Sequence, residues 1–81
     1  MTVDVLAFAG LRDVLGPGRR AIQLRDGATL ADLWAELVRE RPQLAALARS
    51  TRFACNGRMA QPGLALADGD EVAVMPPFGG G

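Results

Sequence analysis

The stretch MPPFGGG, residues 75 to 81, is where residue types and spacing in this sequence suit the delivery of a reactive group. Proline fixes φ and cannot continue a helix, so Pro76 and Pro77 hold the exit from a preceding strand extended. The residues from Pro76 to Gly81, at about 3.3 Å each, reach roughly 20 Å and project from the domain, far enough to enter a partner's pocket. Phe78 precedes three residues without side chains, Gly79, Gly80 and Gly81, which thread a channel that any larger residue would block. The group delivered is the Gly81 carboxylate. With a pKa of about 3.5 it is ionised at neutral pH and its carbon is a poor electrophile, so it must be activated before it carries anything.

The rest of the chain offers no catalytic centre of its own. It has no histidine and one cysteine, so neither a Ser-His-Asp nor a Cys-His set is possible, and no cluster has zinc spacing. Cys55 falls inside an expected strand, where a free cysteine behaves as a small buried hydrophobe. GLRDVLGPGRR contains Gly10, Gly16 and Gly18 but matches neither phosphate-binding glycine pattern and reads as a loop. The acids of DGDE, residues 68 to 71, read as a solvated turn. The expectation is a non-enzymatic chain with no bound metal or cofactor.

The elements that position the tail follow from periodicity. At 81 residues, 49% apolar and 22% charged, the chain suits one soluble globular domain. We expect it over residues 1–75, followed by an extended tail over 76–81. Nine arginines balance nine acids and lysine is absent, so no net field draws the chain to nucleic acid or to an anionic membrane. Apolar runs fall far short of a membrane span, no leader pattern opens the chain and one cysteine suits a reducing compartment. The expected location is the cytoplasm.

TVDVLAFA alternates Val3, Val5 and Ala7 against Asp4, Leu6 and Phe8, the period of a strand. GLRDVLGPG is long enough for one helical turn, and RAIQLR predicts a second strand pairing antiparallel with the first. In ATLADLWAELVRERP, Leu30, Leu33, Trp34, Leu37 and Val38 form one helical stripe, with Thr29 as cap, Asp32 in the first turn and Pro42 at the stop. Trp34 lies in the stripe and reads as core. PQLAALARS predicts a second, shorter helical piece. RFACN-Gly57-RMA predicts a hairpin on an Asn-Gly turn, and Asp68-Gly69 turns into a last strand, Glu71 to Met75. The class is α+β, a sheet with one main helix across one face. Since Asp4 shares a face with Leu6 and Phe8, that set looks outward, and Ala73 and Met75, alternating with Val72 and Val74, are expected to look outward too; apolar residues so placed read as a docking surface.

VLAFAGLRDVLG, ACNG and LADGDEVAVMPPFGGG together resemble the MoaD/ThiS sulfur carriers over nearly the whole chain, most closely the MoaD branch that serves molybdopterin synthase. The motif positions are Phe8-Ala9, Arg12-Asp13, Asp68 to Val72, Pro76-Pro77 and Gly80-Gly81; Gly79, immediately before the diglycine, departs from the pattern. The resemblance implies a ubiquitin-like β-grasp fold with a mixed sheet, in which first and last strands lie side by side. It also implies a carrier role. A MoeB-like, ubiquitin-activating-type enzyme adenylates Gly81 with ATP, a persulfide supplies sulfur, and the resulting thiocarboxylate enters a MoaE-like large subunit. There it gives its sulfur to cyclic pyranopterin monophosphate. Two alternatives stay open: a sulfur carrier for another product (thiazole, cysteine, a thiolated tRNA or a secondary metabolite), and a ubiquitin-like protein modifier.

Overall fold

The computed structural model describes residues 1–8, 15, 16 and 18–75. Most of the helical turn expected within residues 10–18, and the whole tail 76–81, lie outside the described residues.

The alternation at the start of the chain does produce a strand, β1 (Thr2–Ala7), with Val3, Val5 and Ala7 buried and Asp4 and Leu6 half-buried. The second strand, β2 (Arg19–Gln23), pairs with it antiparallel, Val3 opposite Ile22. Leu24, expected inside β2, lies just past its end. Its N–H donates to the Met1 carbonyl at 2.9 Å and its carbonyl accepts from the Met1 amine at 2.8 Å.

Helix α1 (Leu30–Glu40) starts at the expected cap. Thr29 Oγ1 accepts from Asp32 N at 3.3 Å, and Asp32 Oδ2 accepts from Thr29 N at 2.9 Å. This reciprocal box satisfies two helix-end donors and holds the Asp32 carboxyl below its usual range, chiefly through the Thr29 N–H. Leu30, Leu33 and Leu37 are fully buried, each worth about 1.5 to 3 kcal/mol of transfer free energy. Trp34 and Val38 flank them, half-buried, and Trp34 meets Phe53 edge to face with ring centroids 5.8 Å apart. The stripe therefore lies on the core as the sequence predicts.

The second helical piece is a six-residue 3-10 helix, Pro42–Leu47, shorter than the expected span. Only Leu44 is buried in it, so no apolar stripe extends it into a regular helix. The hairpin forms as expected: β3 (Arg52–Cys55) and β4 (Arg58–Ala60) join through Asn56 and Gly57, both at positive φ (51° and 84°). The last strand, β5 (Glu71–Met75), has Val72 and Val74 fully buried.

The five strands make one sheet in the order β2-β1-β5-β3-β4. β5 runs parallel to β1 and antiparallel to β3, so the last strand occupies the centre. Val3, Val5, Phe53, Cys55, Val72 and Val74 share one buried cluster with Leu30, Leu33 and Leu37, which places α1 on a single face of the sheet. Among the described residues no helix is long and apolar enough to cross a membrane.

Candidate docking and carrier site

The face of the sheet away from α1 is set by register. Leu6 stands opposite Ala73, Ala73 opposite Ala54, and Ala54 opposite Met59. Farther along the strands, Phe8 N donates to the Val74 carbonyl at 3.1 Å, and Met75 stands opposite Arg52. Leu6, Phe8, Ala73 and Met75, the four residues expected to dock a partner, therefore share one face. Phe8 is 47% exposed and the other three are half-buried. That is an unusual composition for an outward surface, where alternating strands normally carry polar groups.

Ala54 and Met59 belong to the same row and were missed in the sequence reading. Met59, 67% exposed, extends the apolar row to the β4 edge. Its signal was available, since Ala54 alternates with Phe53 and Cys55 and the Asn-Gly turn carries that alternation across to Met59. At one margin of the patch Arg19 pairs with Glu71, bridging β2 and β5 across β1.

The DGDE segment is the solvent-facing turn expected, and its acids also make it a clasp. Asp68 Oδ1 accepts from Thr2 N at 2.7 Å, and Asp70 Oδ2 accepts from Ala67 N at 2.8 Å. Gly69, at φ 85°, makes the turn between them and donates to the Thr2 carbonyl at 2.8 Å. The Ala67 N–H, helped by the Asn56 side chain, holds the Asp70 carboxyl below its usual range. These acids are hydrogen-bond acceptors that fix where β5 begins.

Cys55 is 8% exposed, and burial first, then the nearby Asp70 carboxylate, pushes its thiol up. Both effects disfavour the thiolate, so the structure gives it the inert core role expected. Among the described residues no group of three or more His, Cys, Asp or Glu side chains is arranged to hold a metal ion. Pro76, Pro77, Phe78, Gly79, Gly80 and Gly81 lie outside the described residues. Their point of departure is defined: Met75, at the end of the central strand and on the apolar face.

A sequence model of the ThiS family matches residues 5–81. This chain belongs to the ThiS family. It is 40% identical over 83 residues to the molybdopterin synthase sulfur carrier subunit of Chlamydomonas reinhardtii, covering all of both chains. It is 33% identical to the human protein of the same name, covering 98% of this chain and 93% of that one. Among solved structures, the putative molybdopterin converting factor subunit 1 of Pyrococcus furiosus superposes with a TM-score of 0.86 at 29% identity, covering 96% of this chain and 99% of that one. The small archaeal modifier protein 1 of H. volcanii gives 0.80 at 29% identity, covering 95% and 98%. A chain of the complex of subunits 1 and 2 of the molybdopterin-converting factor from Helicobacter pylori shares the fold, with a TM-score of 0.69 at 24% identity over the full length of both chains. The mixed five-strand sheet with one main helix is thus the ubiquitin-like β-grasp of this family.

Proposed function

We propose that this chain is the sulfur carrier subunit of a molybdopterin synthase and that its cargo rides on the Gly81 carboxyl. The observation that carries the reading is the outward apolar face of Leu6, Phe8, Ala73 and Met75, which leads directly to the strand end from which the glycine tail departs. A face of that kind suits a partner that must hold the domain while the tail reaches roughly 20 Å into its active site. The likeness to sulfur carrier subunits over the whole chain supports the same role.

In this reading a partner enzyme of the ubiquitin-activating type transfers AMP from ATP to the Gly81 carboxylate and releases pyrophosphate. The terminal sulfur of a persulfide then displaces AMP, and a second thiol cleaves the S–S bond to leave the thiocarboxylate. The large synthase subunit, which the H. pylori subunit 2 exemplifies, accepts the tail, and its pterin substrate, cyclic pyranopterin monophosphate, takes the sulfur. Prolines at 76 and 77 stiffen the arm, and glycines at 79 to 81 admit it to both active sites. Nothing in the carrier itself needs to be catalytic.

Incubation with the adenylating enzyme, ATP and a persulfide donor tests the reading by intact mass. Exchange of one oxygen for sulfur at Gly81, followed by its loss to the pterin in the presence of the large subunit, is the expected result. A chain that stays unmodified sinks the carrier role. The likeness to an archaeal modifier protein favours a second reading, attachment of Gly81 to target amines. Because the chain has no lysine, such conjugates would carry no lysine-linked chains of this protein.

A further inference from the structure

Seven of the described arginines fall into two groups by partner. Arg19, Arg20, Arg25 and Arg39 each stand within ion-pair distance of a carboxylate: Glu71, Glu40, Asp32 and Glu36. Among the described residues no carboxylate stands within that distance of Arg49, Arg52 or Arg58. Two of those three, Arg49 and Arg52, line one cleft of about 430 Å³ together with Thr51, Gln61 and Met59. Arg52 Nη1 donates to the carbonyls of Arg49, at 3.1 Å, and Thr51, at 3.3 Å, so the guanidinium is held in place against its own backbone.

The cleft has a defined place on the molecule. Arg52 is the cross-strand partner of Met75, from which the tail departs, and Met59 links the cleft to the apolar row. An apolar face alone can dock in more than one rotational setting; a fixed charge beside the tail root selects one of them. A guanidinium's planar fork matches a carboxylate by two parallel hydrogen bonds.

We propose that the Arg49–Arg52 cleft is a carboxylate-reading subsite of the docking face, which takes an aspartate or glutamate side chain of the protein that receives the tail. The inference rests on the docking role given to the sheet face above. A protein partner fits better than nucleic acid: net charge is zero, and the two arginines stand at one end of an apolar patch, not along a basic stripe.

Calorimetric titration of the purified large synthase subunit with the full chain, at low and at physiological salt, tests it. The double variant Arg49→Ala/Arg52→Ala is expected to bind about tenfold more weakly and with a flatter salt dependence. Arg39→Ala, on α1, leaves both unchanged. Because Arg52 also binds backbone carbonyls, the single Arg49→Ala supplies a variant without that structural contact, expected to weaken binding about threefold. Unchanged affinity and salt dependence in Arg49→Ala and in the double variant overturns the subsite. So does binding of inorganic phosphate or RNA at the cleft that leaves docking unaffected. Failure of the unaltered chain to bind the large subunit sinks the carrier reading instead.

Discussion

Asn56 and Asp70 lock the hairpin turn to the start of the central strand. Asn56 Nδ2 donates to Asp70 Oδ1 at 2.9 Å, Asn56 Oδ1 accepts from Glu71 N at 2.9 Å, and Asn56 N donates to the Glu71 carbonyl at 2.8 Å. One residue, itself at φ 51°, thus serves the turn and the strand junction together. Asn56→Gly keeps the positive φ and deletes the side-chain bonds, whereas Asn56→Ala loses both. Urea unfolding is expected to show a loss of about 1 to 2 kcal/mol for glycine and about 1 kcal/mol more for alanine. Equal losses in the two variants would remove the left-handed conformation from the explanation.

The same clasp sets an acid limit. The Asp70 pKa is lowered in the folded chain, so its contribution to stability is fully present above the unfolded aspartate value of about 3.9. It is lost as pH falls below that value and through the folded one. Asp32 follows the same sign through its cap bonds. Melting temperatures measured from pH 7 down to pH 3 should fall less steeply for Asp70→Asn than for the unaltered chain. Parallel curves would show that other carboxylates carry the acid sensitivity.

Phe8 separates docking from packing. At 47% exposure, truncation to alanine should cost at most about 1 kcal/mol of stability but about 2 kcal/mol of binding to the large synthase subunit. Met59→Ala should behave in the same direction with a smaller effect. A large drop in melting temperature with unchanged affinity would assign Phe8 to the core.

Gly80→Val addresses the tail without touching the folded domain. Docking through the sheet face should persist while sulfur loading or transfer falls by about 100-fold, because a small misplacement of the reacting carboxyl is enough for that loss. Adding one residue after Gly81 should abolish loading. Normal transfer by either variant, with no trimming of the added residue, would contradict the threading role.

Cys55 provides a negative control of chemistry. Burial and Asp70 both raise its thiol pKa, so thiol reagents at neutral pH should label it far more slowly than a model thiol, and Cys55→Ala should load sulfur at the normal rate. Loss of loading in a variant that keeps its melting temperature would make Cys55 part of the transfer path.

Strands and helix were legible wherever a short-range period exists. Val3, Val5 and Ala7 declared the inward side of β1, and the stripe from Leu30 to Val38 declared α1, because each signal is complete within a few residues. Three features were not legible from periodicity. The central place of β5 depends on pairing between residues 67 apart in sequence, Asp4 with Glu71 for one, and only the family resemblance supplied it. Leu24 left β2 because Met1, distant in sequence, takes its backbone groups. Residues 42–50 form no full second helix because Leu44 is their one buried anchor. In the site, the outward set was read correctly from Asp4. Met59 was missed because a three-residue strand is too short to show its own alternation. Most of the arginine pairing is tertiary; only Arg39 with Glu36, three residues apart on α1, could be read from spacing.

Placing the last strand in the middle of the sheet also dictates the order of events during synthesis. Until residues 71–75 leave the ribosome, β1 and β3 have no common neighbour and Val3 and Val5 have no completed layer to join. A nascent or prematurely ended chain therefore exposes two open strand edges and offers no docking face, since Ala73 and Met75 are its central members. Under the carrier role proposed above, a partner that reads this face would engage only chains in which β5 is complete.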